Sequence, residues 1–587
     1  MDERRHRTAT KTPETGPYLR QLLIGLVLTL SASPAVHAEA IFTGDRFIPA
    51  VGTQGMVATS HTVATEVALK VLQDGGNAVD AAVTAGFALA VTQPRSGNIG
   101  GGGFMLIAKG DGSPPEAIDY RETAPAAATE TMFQDKHGEA VPELSRFSHL
   151  AVGVPGTVAG LALALERHGT ISLKQALAPA LDLARNGFVV PRRFTTGLDE
   201  ARPRLEKWPA SMKAFYKRNG DTYQPGEIFR QPDLVQTLQR IAGEGVAGFY
   251  EGKTAQLIAN EMKRHGGLIT KEDLKAYKPV VRTPVHGTYR GYDIYSMSPP
   301  SSGGTHIVQI LNILEGLPVK EAGHNSADTI HWMAEAMKLA YADRSQFLGD
   351  TDFVEVPLGG LTSKAYAESL RAGISKDKAR PASEIKSGEP ASYESPETTH
   401  FSVVDRWGNA VSNTYTINFS YGSGITVQGA GFLLNNEMDD FSAKPGVPNA
   451  YGLIGGEANK VEPGKRMLSS MSPTIVQKDG KTFLVTGSPG GSRIITTTLQ
   501  VIMNVIDHGM NIQTAVNSPR IHHQWLPDQI RIEQGISPDT VRLLESRGHK
   551  VVEDSAMGAI QSIMIGEDGT LYGAGDPRRS TSSAMGY

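Results

Sequence analysis

The amino-acid sequence contains no cysteine among its 587 residues. This absence excludes disulfide bonds, a thiolate nucleophile and zinc sites that use sulfur ligands. A chain of this length can still bury a large core, because the fraction of surface buried on folding rises with size. The fold must therefore depend on packing rather than on covalent cross-links.

A surplus of basic residues is also absent. The formal net charge is −4 and the pI is about 6.5, with 57 Lys and Arg against 61 Asp and Glu. Proteins that bind nucleic acid through its phosphates present a basic face, and this composition does not supply one. We therefore expect no nucleic-acid partner.

Long apolar runs are missing beyond the N-terminal region. Four arginines precede the apolar run at 22–30, and the small residues Val36 and Ala38 follow it. This pattern is typical of a secretory signal peptide, and a run of that length is too short to span a bilayer comfortably. We predict that residues 1–38 are removed, with cleavage after Ala38 or Ala40, leaving a periplasmic or secreted protein without a stable membrane span. The long charged region before the run leaves an uncleaved anchor as the alternative.

Several familiar catalytic motifs are absent as well. The glycine-rich stretch GNIGGGGF is not followed by GK[ST] or by an acidic residue in dinucleotide-binding register, so close backbone packing explains it better. No HExxH occurs, and the adjacent His522 and His523 would point to opposite faces of a strand, which argues against a metal site there. No GxSxG is present, which excludes the usual serine elbow of α/β-hydrolases.

Helical and strand patterns alternate along the chain. Residues 59–94 predict two helices separated by Gly75 and Gly76, residues 328–350 predict a long amphipathic helix, and a further helix is predicted at 493–508. Residues 399–419 predict two β-type runs around the turn sequence DRWGN. Similar strand-turn patterns occur in GAGFLLNN, SPTIVQKDGKTFLVTGSPGG and AIQSIMIGEDGTLYGAGD. The mixture predicts antiparallel sheets packed against helices.

Thr398 stands at the sharpest change of composition. Residues 376–397 are polar and rich in Pro, Ser and Lys, which predicts an exposed linker open to proteolysis, whereas an apolar β-branched run follows. Composition alone favours an ordinary strand start. The alternative is an N-terminal threonine nucleophile, whose own α-amine has a pKa of about 7.7–8.0 and accepts the hydroxyl proton near neutral pH. That chemistry requires cleavage between Glu397 and Thr398.

Ten stretches of sequence, taken together, favour the N-terminal threonine nucleophile over an ordinary strand start. Taken in order, from about residue 43 to the C-terminus, they resemble γ-glutamyltranspeptidase, a family of exported N-terminal-nucleophile hydrolases. They are SGNIGGGGFMLI, AIDYRETAP, SHLAVGVPGTVAG, GGLITKEDLKAY, YSMSPPSSGGTHIVQILNILE, AYADRSQFLGD, TTHFSVVDRWGNAVSNTYTIN, LLNNEMDDFSAKPGVPN, KRMLSSMSPT and TGSPGGSRIITT. The resemblance implies an α+β fold, a four-layer αββα sandwich. It also implies autocatalytic cleavage of one precursor into a large subunit, 39–397, and a small subunit, 398–587, which stay together as a heterodimer.

The resemblance also implies roles for the residues around the cleavage point. Thr398 matches the family's nucleophile, and Thr416 matches the threonine that supports it. Gly490 and Gly491 match the pair whose backbone N–H groups form the oxyanion hole. Each of these features alone would be explained by an ordinary strand hydroxyl or a tight turn.

A second group of matching residues implies a pocket for the zwitterionic γ-glutamyl group. Arg121, Ser469 and Ser470 match the donors to its α-carboxylate. Asn418, Glu437 and Asp440 match the groups that hold its α-ammonium, and family members carry either Glu or Gln at the position of Glu437. Residues 440–452 resemble a loop that covers the pocket, with Tyr451 as its gating aromatic residue.

The implied reaction proceeds through a γ-glutamyl-Thr398 ester. Glutathione or a related γ-glutamyl compound donates the group, and water, an amino acid or a dipeptide accepts it, with no metal or cofactor expected. Two alternatives remain open. One is an acylase on the same scaffold that hydrolyses glutaryl amides of β-lactam nuclei, and the other is a non-catalytic periplasmic protein that binds γ-glutamyl peptides.

Overall fold

Two seven-stranded sheets form the centre of the computed structural model, which describes residues 48–385 and 398–587. Every strand pairing in both sheets is antiparallel. The first sheet has the order Ala50–Gly52, Leu571–Gly575, Gln561–Ile565, Lys481–Thr486, Thr474–Lys478, Tyr292–Ser296 and Val285–Tyr289. The second has the order Ser583–Gly586, Met56–Thr59, Thr398–Val404, Ala410–Thr416, Gly102–Ala108, Glu116–Asp119 and Val280–Arg282. The predicted signal peptide and Glu397 lie outside the described residues.

Helices cover the outer face of each sheet. Those of the N-terminal half pack mainly against the second sheet, and those at 303–315, 327–347 and 493–506 pack against the first. The helices are Thr62–Gln73, Ala78–Thr92, Pro142–Phe147, Thr157–His168, Leu173–Asn186, Arg192–Leu205, Pro209–Phe215, Pro232–Glu244, Ala247–Tyr250, Gly252–His265, Lys271–Ala276, Gly303–Glu315, Val319–Ala322, Ala327–Phe347, Leu358–Leu361, Lys364–Ala372, Arg493–Ile506, Ile512–Asn517 and Pro538–Ser546.

Short elements complete the structure. The 3₁₀ segments are His149–Ala151, Ala382–Glu384, Glu437–Asp440 and Glu457–Asn459. Two smaller sheets join Ile521–His522, Ile530–Ile532 and Val551–Glu553, and Phe188–Val189 with Ile228–Phe229.

One apolar cluster lies beneath the helices of each sheet, and a third fills the space between the two sheets. It includes Phe104, Val404, Ile475 and Ile563, one residue from each of four strands. Sheets that pack face to face bury alternate side chains of each strand in this way. The four layers are therefore helices, sheet, sheet and helices, which confirms the predicted αββα arrangement.

Most of the predicted elements occur close to their predicted bounds. The first two helices occupy Thr62–Gln73 and Ala78–Thr92, and a capping box at Asn77 starts the second. The helix predicted at 493–508 is Arg493–Ile506. The β-type runs around DRWGN form a hairpin in which Thr398 pairs directly with Thr416.

Two local predictions are wrong. The helix at 327–347 exists but is not amphipathic, because it is buried on nearly every side. Even its charged residues Glu335 and Lys338 are buried, and they form an ion pair with each other at 2.6 Å. GAGFLLNN forms no strand beyond one isolated bridge between Thr426 and Leu433. Gly429 and Gly431 have φ values of +78° and +77°, which interrupt an extended backbone.

Candidate functional site

Alternation along the 398–404 strand aims Thr398 into the space between the sheets. Phe401 and Val403 belong to the apolar cluster under the helices, whereas Val404 belongs to the cluster between the sheets. Because side chains alternate across a strand, Thr398 shares the inner face with Val404, and Thr399 points the opposite way. The Thr399 hydroxyl accordingly lies 2.5 Å from that of Ser60, on the helix side.

Thr398 and Thr416 lie side by side at the ends of their strands. The Thr398 hydroxyl donates to the Thr416 hydroxyl at 3.4 Å, and the backbone N–H of Asn418 donates to the same Thr416 oxygen at 2.7 Å. Arg579 donates to the carbonyl of Thr398 at 3.1 Å, which fixes the first residue of the strand. Thr398 is 5% exposed, so its hydroxyl lies in a largely desolvated position.

The nearest histidine on this strand does not serve Thr398 as a base. His400 lies on the same face two residues further along, but its Nδ1 contacts the Thr414 hydroxyl at 2.8 Å and its Nε2 contacts that of Ser402 at 3.1 Å. Burial lowers the pKa of His400 to about 3, which keeps the ring neutral. Both ring nitrogens are thus engaged away from the nucleophile position.

Gly490 and Gly491 form a turn that leads directly into the helix Arg493–Ile506. Their φ values are +139° and +55°, in the region where residues with a Cβ are strained. The turn is held from behind by Ser488, whose hydroxyl donates to the Pro489 carbonyl at 2.7 Å. Successive amides beside a helix N-terminus can converge on a negatively charged oxygen, and Gly491 lines the same cavity as Thr398.

Arg121 lies at the other end of this cavity between two carboxylates. Its guanidinium donates to Glu437 at 2.6 Å and to Asp440 at 2.6 Å, and it is 1% exposed. Burial raises the pKa of Glu437 to about 7 and that of Asp440 to about 6, although the charge of Arg121 opposes both shifts. The structure thus brings together groups of both signs that the sequence places more than 300 positions apart.

The two predicted serines border the same cavity, next to a further arginine. Ser470 accepts a hydrogen bond from Arg344 at 3.2 Å, and the Ser469 hydroxyl accepts one from the Met471 amide at 3.1 Å. Arg344 also donates to the Ser302 hydroxyl at 2.9 Å and forms no ion pair within the described residues. Burial lowers its pKa to about 10, so it keeps its charge at neutral pH.

Sequence reasoning missed Arg344. It lies in AYADRSQFLGD, one of the stretches that showed the family resemblance, but nothing in its spacing gave it a role. Only the structure supplies the missing signal, because it shows that the helix carrying this charge is buried on nearly every side.

Tyr451 closes the cavity beside Asn418. The Tyr451 hydroxyl donates to the side-chain oxygen of Asn418, and the Asn418 amide donates to the Asn436 carbonyl at 2.9 Å. Phe419 meets the Tyr451 ring edge-on at 5.9 Å, and Asn449 donates to Asp440 at 3.3 Å. The segment at 440–452 therefore contacts both the charged groups and the wall of the cavity.

The cavity as a whole is narrow, with a volume of only about 20 Å³ open to a water-sized sphere. Ten of the eleven predicted site residues line it, and Gly490 adjoins it through Gly491. The lining residues are Arg121, Arg344, Thr398, Thr416, Asn418, Glu437, Asp440, Tyr451, Leu453, Ser469, Ser470, Met471, Gly491 and Ile494. This arrangement brings a hydroxyl and charges of both signs together in one cavity.

Two groups of side chains elsewhere in the described residues could hold a metal ion. They are His149 with Glu261 and His265, and His331 with Glu335 and His549. Neither group lines the cavity that contains Thr398. In the part of the chain that the structure describes, no helix has the length and apolar character needed to cross a membrane.

Comparison with known proteins agrees with this geometry. A family model described as Gamma-glutamyltranspeptidase matches residues 64–586. The chain is 54% identical over 576 residues to the glutathione hydrolase proenzyme of Escherichia coli (strain K12), with 97% of this chain and 99% of that protein covered.

Two solved structures support the same assignment. A cephalosporin acylase from Bacillus halodurans aligns with a TM-score of 0.82 at 28% identity, over 92% of this chain and 97% of that one. The γ-glutamyltranspeptidase of Helicobacter pylori aligns with a TM-score of 0.55 at 50% identity, over 56% of this chain and 93% of that one. On the family match, the identity and the shared architecture, the chain belongs to the gamma-glutamyltranspeptidase family.

Proposed function

We propose that this protein hydrolyses and transfers the γ-glutamyl group of glutathione and related amides, with Thr398 as the nucleophile. One observation supports this most strongly. The Thr398 hydroxyl lies in a cavity that also presents Arg121, whose guanidinium contacts Glu437 and Asp440 at 2.6 Å each. A γ-glutamyl group has an α-carboxylate and an α-ammonium at one end and the reacting amide at the other, which matches this distribution of charge.

The precursor must first be cut between Glu397 and Thr398. In the unbroken chain the nitrogen of Thr398 is part of a peptide bond and accepts no proton. Attack of the Thr398 hydroxyl on the Glu397 carbonyl would transfer that acyl group from nitrogen to oxygen, and water would then cleave the ester. The products are the carboxylate of Glu397 and the free amine of Thr398, and the two subunits remain as a heterodimer.

The same hydroxyl then attacks the γ-carbonyl carbon of the substrate. The α-amine of Thr398 accepts the hydroxyl proton, and the N–H groups of Gly490 and Gly491 stabilise the oxyanion. The C–N bond breaks and the leaving amine takes the proton, which leaves a γ-glutamyl ester on Thr398. Water or a second amine attacks this ester, so the reaction alternates between two forms of the enzyme.

In the substrate-bound state the ion pairs exchange partners. Arg121, together with the Ser469 and Ser470 hydroxyls, takes the α-carboxylate, and a planar guanidinium suits a two-point contact of this kind. Glu437 and Asp440 take the α-ammonium, assisted by Asn418. Tyr451 closes the cavity over the bound group. On the N-terminal signal pattern we place the mature enzyme in the periplasm, with secretion as the alternative.

N-terminal sequencing of the purified protein tests the maturation step. We expect two polypeptides, the smaller beginning with Thr398, and p-nitroaniline release from γ-glutamyl-p-nitroanilide. Activity from a single unbroken chain would contradict the mechanism. Retention of bound γ-glutamyl peptide by an uncut and inactive chain would instead identify a binding protein.

A second substrate distinguishes the proposed γ-glutamyl activity from the acylase alternative. A glutaryl amide has the same carboxylate and reacting carbonyl but lacks the α-ammonium. It would leave the buried carboxylates of Glu437 and Asp440 without a cation from the ligand, which is costly. We therefore expect γ-glutamyl-p-nitroanilide to react much faster than glutaryl-p-nitroanilide, and the reverse order would favour the acylase.

A further inference from the structure

His149, Glu261 and His265 form a cluster outside the catalytic cavity. Glu261 and His265 lie one turn apart on the helix Gly252–His265, and His149 begins the 3₁₀ segment His149–Ala151. The Nε2 atoms of His149 and His265 lie 3.4 Å and 3.5 Å from the same oxygen, Oε1 of Glu261. The three ligand atoms all lie within 4.8 Å of one another.

These distances are poor for hydrogen bonds. An N–H···O bond is typically about 2.9–3.0 Å long, and both contacts to Oε1 are clearly longer. The other carboxylate oxygen, Oε2, lies 3.5 Å from the Arg264 guanidinium, which is also long for a hydrogen bond. His149 and Glu261 are 2% and 6% exposed at their side chains, so water does not compensate freely. The two histidines thus contact the carboxylate at distances that are long for hydrogen bonds, and the backbone of Gln428 supplies Glu261 with a hydrogen bond of its own.

The same distances suit ligands arranged around a metal ion. Tetrahedral Zn²⁺ binds imidazole and carboxylate at about 2.0–2.2 Å, which separates neighbouring ligand atoms by about 3.3 Å. Two imidazoles and one carboxylate are a common donor set for zinc, with a fourth position left for water. His265 is 36% exposed at its side chain, which gives an ion a path from solvent.

The surrounding aromatic residues hold the two imidazoles close together. The rings of His149 and His265 stack at 4.7 Å with an angle of 19°, and Trp208 meets them edge-on at 4.9 Å and 5.4 Å. His149 is buried, whereas the side chain of His265 is 36% exposed.

We propose that His149, Glu261 and His265 bind a zinc-like divalent transition-metal ion, with water as the fourth ligand. The ion would join the helix Gly252–His265 to the segment at 142–151. That segment supports the wall of the catalytic cavity, because Ser145 and Arg146 contact Asp439 at 2.5 Å and 3.3 Å, next to Asp440. The metal therefore acts as a structural clamp, and the catalytic steps do not pass through it.

In the other histidine cluster a lysine already pairs with the carboxylate. The ammonium of Lys338 lies 2.6 Å from Glu335, and both ring nitrogens of His331 are engaged, by His549 at 2.7 Å and by the Ser375 carbonyl at 2.8 Å. The lysine thus forms a close ion pair with the carboxylate of that cluster, whereas Arg264 in the proposed site lies further away, 3.5 Å from Oε2 of Glu261. This cluster serves as an internal comparison for the site proposed above.

Zinc titration of the mature, untagged enzyme after treatment with a chelator tests the proposal. We expect calorimetry to show one tight Zn²⁺ per heterodimer, and Zn²⁺ to raise the thermal midpoint. His265→Ala should weaken binding at least about tenfold and abolish the rise in midpoint, because it removes one of three protein ligands. His286→Ala is the matched control, since His286 is an exposed histidine paired with one carboxylate, Asp293, at 2.8 Å.

Cobalt provides a second, spectroscopic measurement. Bound Co²⁺ should show the intense visible absorption of a four-coordinate site, and Glu261→Gln, which keeps the shape of the side chain, should lose it. Equal Zn²⁺ affinity in the parent protein and His265→Ala would overturn the proposal, since binding would then occur elsewhere. Absence of Zn²⁺ binding by the parent protein, or only the weak binding shared with Glu261→Gln, would overturn it equally.

Discussion

The residues that line the cavity form two groups that differ in the kind of chemistry their side chains provide. One group supplies hydroxyl, backbone and apolar groups, namely Thr398, Thr416, Gly491 and Ile494. The other, the charged group, consists of Arg121, Arg344, Glu437 and Asp440, and the two groups meet where Glu437 hydrogen-bonds with Thr416. The Thr398 hydroxyl itself contacts Thr416 and not a side-chain base, and this is why we assign the proton transfer to the α-amine that cleavage would release from Thr398.

The proposed exchange of ion pairs on substrate binding involves the charged group. Arg121 contacts both Glu437 and Asp440. A zwitterion brings one charge of each sign, so the buried charges keep opposite partners after the exchange. This limits the desolvation cost, which would be severe for a single buried charge.

The largest effect is expected from the variant that removes the proposed nucleophile. In Thr398→Ala we expect no cleavage at 397–398 and a fall in γ-glutamyl hydrolysis of at least about 10⁴-fold, because loss of a nucleophile removes the covalent route. A denaturing gel and a p-nitroanilide assay measure both. Thr399→Val is the matched control, because the Thr399 side chain contacts Ser60 on the other face of the strand. An uncut chain in Thr399→Val, or a cut one in Thr398→Ala, would contradict the assignment.

The second-largest effect is expected from the turn at Gly490 and Gly491, the proposed oxyanion hole. Gly490→Ala places a Cβ at a φ of +139°, which should move the amides and lower kcat by about 100-fold, the usual scale for losing one such donor. Gly480→Ala is the control, since Gly480 has a φ of +73° in a hairpin turn with open space around it. We expect Gly480→Ala to lower thermal stability while leaving kcat unchanged. A similar loss of kcat in both variants would indicate general strain instead.

Asp440→Asn should separate the two classes of substrate. It removes a charged partner of the α-ammonium, and hydrogen bonds to charged groups contribute about 1.5–3 kcal/mol. We expect kcat/KM for γ-glutamyl-p-nitroanilide to fall by about 10- to 100-fold, with a change of less than about threefold for the glutaryl compound. Equal losses on both substrates would show that Asp440 supports the fold of the cavity rather than the ammonium.

Glu437→Gln should change the pH dependence of stability. Burial raises the pKa of Glu437 from 4.5 to about 7, so between these values the folded protein binds more protons than the unfolded chain. Stability therefore falls as pH rises through this window, and glutamine removes that contribution. We expect the thermal midpoint of the variant, relative to the parent, to rise by a few degrees from about pH 4.5 to 7 and to level off above. A difference that does not vary with pH would contradict this.

The smallest effect should come from the residue that closes the cavity. Tyr451→Phe keeps the ring but removes the hydroxyl that donates to Asn418. A neutral hydrogen bond contributes about 0.5–1.5 kcal/mol, so we expect KM to rise about two- to tenfold with little change in kcat. Steady-state kinetics measure the two separately. A large fall in kcat would instead place Tyr451 among the reacting groups.

Local patterns in the sequence determined much of the architecture. Period-2 alternation and the DRWGN turn predicted the hairpin at 398–416, and the helical pattern with glycine stops predicted the two helices between 62 and 92. These signals are readable because they depend on neighbours only a few positions apart. The ten ordered stretches supplied the family, and with it eleven candidate site residues.

Only the tertiary structure decided how those residues meet. Arg121 lies 316 positions from Glu437 in the chain, and no local pattern states that their side chains form a 2.6 Å ion pair. Arg344 joins the cavity, His400 is turned away from Thr398, and His149 meets Glu261, because strand order and helix packing fix these distances. The sequence specifies which groups are available and where the backbone turns, whereas electrostatics and burial depend on contacts that exist only after the layers have packed.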